Sequence, residues 1–197
     1  TKGAFQTKYN GGTTDVFLVK LPKDGSQITY ATYFGGNARD DGAGVAVDRS
    51  GNVYLTGLTN SQNFPLEKPF QPKPGGGGFA DAFIMKLDAQ ELKPVYSTYL
   101  GGDEDEVPTG IAVDAEGNAA IAGFGNSSNF PTVNALQKEF KGGFYDGFAA
   151  KLAIHPAQVP IINAAFTPSA EAVEEARAVI AAFAKAGDVG VVGIEGR

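Results

Sequence analysis

The chain contains no cysteine and no tryptophan, and only one methionine and one histidine, in 197 residues. Without cysteine there is no disulfide framework and no thiolate metal site. His155 is the sole histidine, and with no cysteine or serine partner it defines no nucleophile–base pair. No Ser-His-Asp set can be assembled, so no catalytic residue is nominated. Basic residues are also scarce: 16 Lys and Arg stand against 22 Asp and Glu, a net charge of −6. That balance argues against nucleic acid, whose phosphates need a basic patch, and against an anionic membrane surface. No apolar run approaches the ~18 residues that span a bilayer, so no membrane insertion is expected. Gly75–Gly78 lacks the following Lys-Ser/Thr and helix of a phosphate cradle and reads as a flexible connector.

Glycine and proline are plentiful, 27 and 11 residues. Such a composition favours many turns, hence many short strands.

The strongest signal is internal repetition. DVFLVKL at 15–21 recurs as DAFIMKL at 81–87 and as DGFAAKL at 146–152. TYATYFGG at 29–36 recurs 66 residues later as VYSTYLGG. GVAVDRSGNVYLTG at 44–57 recurs as GIAVDAEGNAAIAG at 110–123, and SQNFP at 61–65 as SSNFP at 127–131. A lead-in, GAFQ at 3–6, is echoed by KPFQ at 68–71 and loosely by NALQ at 134–137. Phe17, Val19 and Leu21 alternate with period two, as do Phe83, Met85 and Leu87, then Phe148, Ala150 and Leu152. Lys20, Lys86 and Lys151 fall on the opposite face. Each GVAVD/GIAVD segment reads as a hairpin whose turn, Asp48–Asn52 or Asp114–Asn118, carries a glycine for φ > 0. Four strands per unit at this period indicate propeller-type blades.

The expected fold is therefore mainly β, with antiparallel four-stranded propeller-type blades. Two are complete, part of a third follows, and the set is open. The repeats cover 1–152, divided at about 1–66, 67–132 and 133–152. An open set leaves strand edges and an apolar face uncovered. Its expected partners are further blades or a self-associating copy. The motifs above, in this order, resemble the bacterial β-propeller repeat called SBBP. The resemblance implies a large secreted or envelope-associated bacterial protein whose blades are scaffolds or binding surfaces, with no general catalytic set.

After Leu152 the composition shifts to Ala and Glu. Thr167-Pro168 reads as a helix start, with Glu171, Glu174 and Glu175 early in the helix. Val173, Ala176, Ile180 and Phe183 form an apolar stripe, and Gly187 ends a short α-helical segment. A β-like run follows at 188–194. Residues 153–197, with IHPAQ, FTPS and a terminal GR, resemble the C-terminal part of the HpcH/HpaI aldolase and citrate lyase β-subunit-like enzymes. Those are TIM-barrel lyases that use a divalent metal. Their catalytic Arg and metal-binding acids lie on earlier strands absent here, so no residue carries over.

Two sets of candidate site residues remain. Asp40 and Asp41, with Asp105 and Glu106 one repeat later, follow GG turns. Hard oxygen ligands there suit Ca²⁺; the competing reading is a solvated loop, or carboxylates that cap nearby backbone N–H groups. Tyr30, Tyr33, Tyr96 and Tyr99 suit a glycan-binding face; the competing reading is packing. Asn126-Ser127-Ser128 spells a glycosylation sequon or a turn. The first functional expectation is a noncatalytic module for structural support or for protein or glycan contacts, in an extracellular or cell-envelope setting and with no cofactor. The second is a fragment or fusion of a metal-dependent acyl-CoA lyase, a carbon–carbon lyase using Mg²⁺ in the cytoplasm. The third is a fusion of unrelated segments with no selected function.

Overall fold

The computed structural model describes residues 3–152, with Glu174 beyond them. The chain divides into two units, Thr1–Leu152 and Ala153–Arg197. In the second unit Glu174 is helical and exposed. The remainder of the expected helix, and the run at 188–194, lie outside the described residues, as does His155.

The first unit is built of antiparallel strands only. In chain order they are β1 (Val16–Lys20), β2 (Tyr30–Phe34), β3 (Asp40–Val47), β4 (Val53–Thr59), β5 (Asp81–Leu87), β6 (Pro94–Leu100), β7 (Glu106–Val113), β8 (Ala119–Gly125) and β9 (Asp146–Leu152). β1–β4 make one repeat, β5–β8 the next, and β9 begins a third. The copies keep one register. Phe17 faces Tyr33 as Phe83 faces Tyr99. Val45 faces Leu55 as Ile111 faces Ile121, and the ladder slips at the same place, between Gly42 and Gly44 and between Pro108 and Gly110. A bulge preserved in position across two copies is a feature of the fold, since it re-aims the strand.

The hydrogen-bonded sheets are cut out of phase with the sequence repeat. β1 pairs with β2; β3, β4, β5 and β6 form one four-stranded sheet; β7, β8 and β9 form a third. The repeat count holds, but a sheet takes its first two strands from one repeat and its last two from the next. β4 therefore pairs with β5 across the repeat boundary, Gly57 opposite Phe83, and β8 with β9, Gly123 opposite Phe148. Both glycines are required by close approach. A Cβ on Gly57 would lie 2.0 Å from the Asp41 carbonyl oxygen and 2.7 Å from the Phe83 ring. On Gly123 it would lie 2.3 Å from the Val107 carbonyl oxygen and 2.9 Å from the Phe148 ring.

The sheets stack face to face. Phe83, Met85, Leu87, Leu55 and Tyr99 of the middle sheet pack on Val16, Tyr30 and Phe34 of the first. Its opposite face, with Tyr54, Ala82, Ile84, Tyr96 and Leu100, packs on Ala119, Ile121, Phe130 and Phe148 of the third. Both faces of the middle sheet are thus covered, which is why its central strand β5 is nearly all apolar. The NFP motif supplies a ring to each junction. Phe64 lies 4.6 Å from Phe83 with an interplanar angle of 32°, and Phe130 lies 5.0 Å from Phe148 at 32°.

Phe17 is the exception to repeat equivalence. It is 69% exposed, whereas Phe83 has no exposure. Their cross-strand partners correspond, so the difference lies in what covers them. Among the described residues β1 has no β4-type neighbour, no NFP ring and no covering sheet on that face.

The two β-hairpin turns agree in detail. Asp48 Oδ1 accepts from the N–H of Ser50 and Asn52, both at 2.9 Å, and Asn52 Nδ2 donates to Asp48 Oδ2 at 2.7 Å. Asp114 accepts from Glu116, Asn118 and the Asn118 amide in the same pattern. Gly51 and Gly117 take φ of 86° and 82°, where a Cβ is disfavoured. Asn52 Oδ1 additionally accepts from Ala89 N–H at 3.1 Å, whereas Asn118 Oδ1 has no partner among the described residues. Asn52→Ala should therefore cost about 1–2 kcal/mol and Asn118→Ala about 1 kcal/mol, read from the urea midpoints of the two variants.

Candidate functional site

β3 and β7 begin, β4 and β8 end, and the GG turns leave β2 and β6, all at one end of the stacked sheets. Here the chain buries acid. Asp40, Asp81 and Glu106 have no solvent exposure. None of the ion pairs among the described residues involves any of them.

In the first copy, Asp40 closes the loop that follows Gly35-Gly36. Its Oδ2 accepts from Gly36 N–H at 2.7 Å and from the Ser61 hydroxyl at 2.8 Å, and its Oδ1 accepts from the Thr59 hydroxyl. Ser61 Oγ then accepts from Ala38 N–H at 2.9 Å, and Asn63 Oδ1 from Asn37 N–H at 2.8 Å. The SQNFP segment thus satisfies the loop's amides with its polar residues and the core with its phenylalanine. Burial raises the Asp40 carboxyl above the usual range, the three donors pull it back, and nearby Asp15 adds to the rise.

The second copy repeats the plan with Glu106. Gly102 N–H donates to Glu106 Oε2 at 2.7 Å. Ser127 Oγ accepts from Glu104 N–H, Asn129 Oδ1 from Asp103 N–H, and Asn126 Oδ1 from Asp105 N–H. Asn126-Ser127-Ser128 is therefore a loop latch whose central serine is buried.

A second acid belongs to each junction, and it escapes motif reading because it merely opens the strand β1 or β5. Asp15 Oδ2 accepts from Asn10 N–H at 2.8 Å and from the Gln6 amide at 3.2 Å. Asp81 Oδ2 accepts from Gly75 N–H at 2.7 Å and from the Gln71 amide at 3.4 Å. Gln6 and Gln71 are the glutamines of the GAFQ/KPFQ lead-in, and Gln137 of NALQ donates to Asp146 at 2.9 Å in the third copy. The persistent glutamine was the available signal.

The tetraglycine, read as a flexible connector, is held here at Gly75 and Gly77. Gly75 caps Asp81, and a Cβ on it would lie 1.9 Å from the Gly102 carbonyl oxygen. The glycines let backbone meet backbone.

The Ca²⁺ candidates do not converge. Asp40 and Asp41 are adjacent in a strand, so their side chains leave on opposite sides. Asp40 is buried as described, while Asp41 accepts from Thr14 and pairs with Arg39, whose Nε lies 2.8 Å away. Asp105 Oδ1 accepts from Ala80 N–H at 3.0 Å, and Glu106 turns inward. Among the described residues no group of three or more acids or histidines is placed to hold a metal.

The tyrosine face is likewise dispersed. Tyr30, Tyr96 and Tyr99 are buried packing residues. The Tyr99 hydroxyl donates to the Ser61 carbonyl at 2.7 Å and accepts from Phe64 N–H at 3.1 Å. Only Tyr33, 39% exposed, faces solvent, beside Phe17. Because both faces of an inner sheet are covered, period-two alternation could not tell a packed tyrosine from an open one.

At the opposite end of the sheets, Tyr54 ties two hairpin turns together. Its hydroxyl lies 3.1 Å from Asp48 Oδ2 and 2.9 Å from the Gly117 carbonyl, and Lys86 sits 4.9 Å above its ring. Burial opposes ionisation of Asp114, but Lys151 at 2.8 Å and Asn118 hold its carboxyl down to about 2.

Comparison with known proteins follows this geometry. Residues 29–65 and 95–131 each match the family model SBBP, Beta-propeller repeat. Each match runs from the last strand of one sheet, over the GG turn and its buried acid, to the NFP latch of the next. A 76-residue stretch is 40% identical to the (3S)-malyl-CoA thioesterase of Cereibacter sphaeroides, in strains ATCC 17029 / ATH 2.4.9 and KD131 / KCTC 12085. That stretch covers 39% of this chain and 26% of the enzyme, so the chain spans about a quarter of the length of the curated relatives it matches.

Proposed function

We propose that the repeat unit is a noncatalytic β-propeller repeat module. It gives structural support and offers a protein-binding face within a secreted or envelope-associated protein. One observation carries this reading: the apolar face of β1 and β2, with Phe17, Val19 and Tyr33, is the same face that a neighbouring sheet covers in the middle sheet. A sheet of the same kind is the partner that fits, from further blades or a second copy. The inward acids and three of the four tyrosines are engaged in folding contacts, which favours support over chemistry. Sedimentation velocity of the chain tests the reading. Concentration-dependent association is expected, weakened at least tenfold by Phe17→Glu. A monomer at all concentrations, unaffected by Phe17→Glu, would remove the self-associating form.

A second reading rests on the malyl-CoA thioesterase likeness and on the sequence after Leu152. Here the chain carries part of an enzyme that acts on an acyl-CoA, with Mg²⁺ as its metal and the cytoplasm as its setting. Malyl-CoA incubated with the chain and Mg²⁺ distinguishes the two. Release of free CoA thiol above the buffer rate supports the enzyme, and its absence supports the module.

A further inference from the structure

The junction between the middle and third sheets holds two buried carboxylates and too few donors. Asp81 Oδ1 and Glu106 Oε1 are both buried without a hydrogen-bond partner. Asp81 Oδ1 and Glu106 Oε2 lie 2.6 and 2.5 Å from the single point where a Cβ on Gly101 would sit. Glycine at 101 keeps the space between the two carboxylates free of a side chain.

Asp15 Oδ1, the equivalent of Asp81 Oδ1, is unpartnered in the first copy as well, so what sets the second copy apart is the orphaned Glu106 oxygen. In the first copy Thr59 donates to Asp40 Oδ1. The residue equivalent to Thr59 is Gly125, and the one equivalent to Asp40 is Glu106. The longer acid fills the space of the lost threonine: a Cβ on Gly125 would lie 3.1 Å from Glu106 Oε1 and 3.2 Å from its Cγ. Asp with Thr has become Glu with Gly. The added methylene takes up part of the threonine's space, and a hydroxyl donor is gone.

Among the described residues no ion pair supplies a positive charge to compensate. Asp81 on β5 is faced by Glu106 on β7, by the hydroxyl of Tyr99 on β6, and by the neutral amide of Gln71. Glu106 is raised further by the charge of Asp105, and it is lowered by the hydroxyl and N–H of Ser127 and by the N–H of Gly102, which offset its burial only in part. Two anions in this space repel with little solvent between them, and an orphaned buried acceptor is costly. One proton on Asp81 Oδ1 removes the repulsion and turns that orphaned acceptor into a donor.

We infer that Asp81 and Glu106 share a single proton, Asp81 Oδ1–H donating to the Glu106 carboxylate, so that this sheet junction is a clasp that weakens as the solution becomes alkaline. The pair then carries one negative charge, as closely placed carboxylates do when they cannot both ionise. Burial, then the charge of Glu106, pushes the Asp81 carboxyl from 3.8 up to about 7. Glu106 is raised as well, chiefly by burial. Because the folded value lies above the unfolded one, the folded state holds the proton more tightly. The stabilisation is complete below about pH 4, declines as pH rises, and is gone above about 7. Across that window each pH unit lowers the folding constant by up to about tenfold.

The full chain tests this by urea unfolding at intervals from pH 5 to pH 8. Wild type should lose stability over the range. Asp81→Asn, whose amide donates at every pH, should lose markedly less. Glu106→Asp with Gly125→Thr rebuilds the first copy's donor and should move the wild-type decline to lower pH. The Asp81 ¹³Cγ resonance of the wild type should titrate near 7 and not near 4. The proposal is overturned if Asp81→Asn keeps the full wild-type slope, or if that resonance titrates near 4. It is equally overturned if Ca²⁺ restores stability at pH 8, since a cation and not a proton would then join the acids. Should Asp81→Asn fail to fold at pH 5, the ¹³C titration and the double variant decide.

Discussion

Phe83→Ala should destabilise the repeat unit by about 3–5 kcal/mol, while Phe17→Ala should change it by no more than about 0.5 kcal/mol. The two phenylalanines open the same motif, occupy the same strand position and face equivalent tyrosines. Phe83 has no exposure and packs between Phe64, Tyr99 and the first sheet. Removing its ring empties a site whose walls, Met85, Leu55 and the rigid backbone at Gly57, cannot collapse into it. Phe17 is 69% exposed, so its truncation removes little buried area. Urea midpoints of both variants, at a concentration where the chain is monomeric, give the comparison. Equal losses would mean that β1 carries a cover of its own. The same pair measured at high concentration reports on association: a cost for Phe17→Ala that grows with concentration would identify its face as the contact.

Asp40→Ala should cost at least about 3 kcal/mol, because three donors lose one acceptor. Gly36 N–H and the hydroxyls of Thr59 and Ser61 all converge on this carboxylate. Each buried donor left without a partner costs on the order of 1–3 kcal/mol. The loss propagates, because Ser61 Oγ also accepts from Ala38 N–H and the Ser61 carbonyl accepts from the Tyr99 hydroxyl. Asp40→Asn keeps the shape and one acceptor oxygen but turns an NH₂ toward donors, and should cost about half as much. Thermal melts of the three proteins provide the ranking. If Asp40→Ala were neutral, water would be reaching these groups and the junction would be far wetter than its burial implies.

The repeat, the strand positions and the hairpin turns were legible in the sequence because each leaves a local trace. Period two is visible in Phe83, Met85 and Leu87, and the turn chemistry in Asp48 and Gly51. The resemblance to the SBBP repeat was likewise carried by motifs in order. The phase of the sheets was not legible. A period of 66 residues states how far copies are shifted, not where one sheet ends, and pairing β4 with β5 depends on contacts across the connection at 60–80. The tyrosines were ambiguous for a related reason: Tyr96 and Tyr99 alternate correctly, but alternation does not reveal that sheets cover both faces. Asp15 and Asp81 were invisible as site residues because an acid before a strand looks like any strand start. Their importance arises from Gly35 lying against Asp15 and Gly101 against Asp81. For the acids at 40, 41, 105 and 106, the sequence placed the carboxylates but not their directions.

The account stands on β4 and β5 being hydrogen-bonded neighbours although they belong to different repeats. Nuclear Overhauser contacts between the backbones of residues 53–59 and 81–87 measure this directly. Cross-strand contacts joining Gly57 to Phe83 and Leu55 to Met85 are the predicted result. Contacts that instead join residues 53–59 to β1, closing each repeat into a sheet of its own, would contradict it.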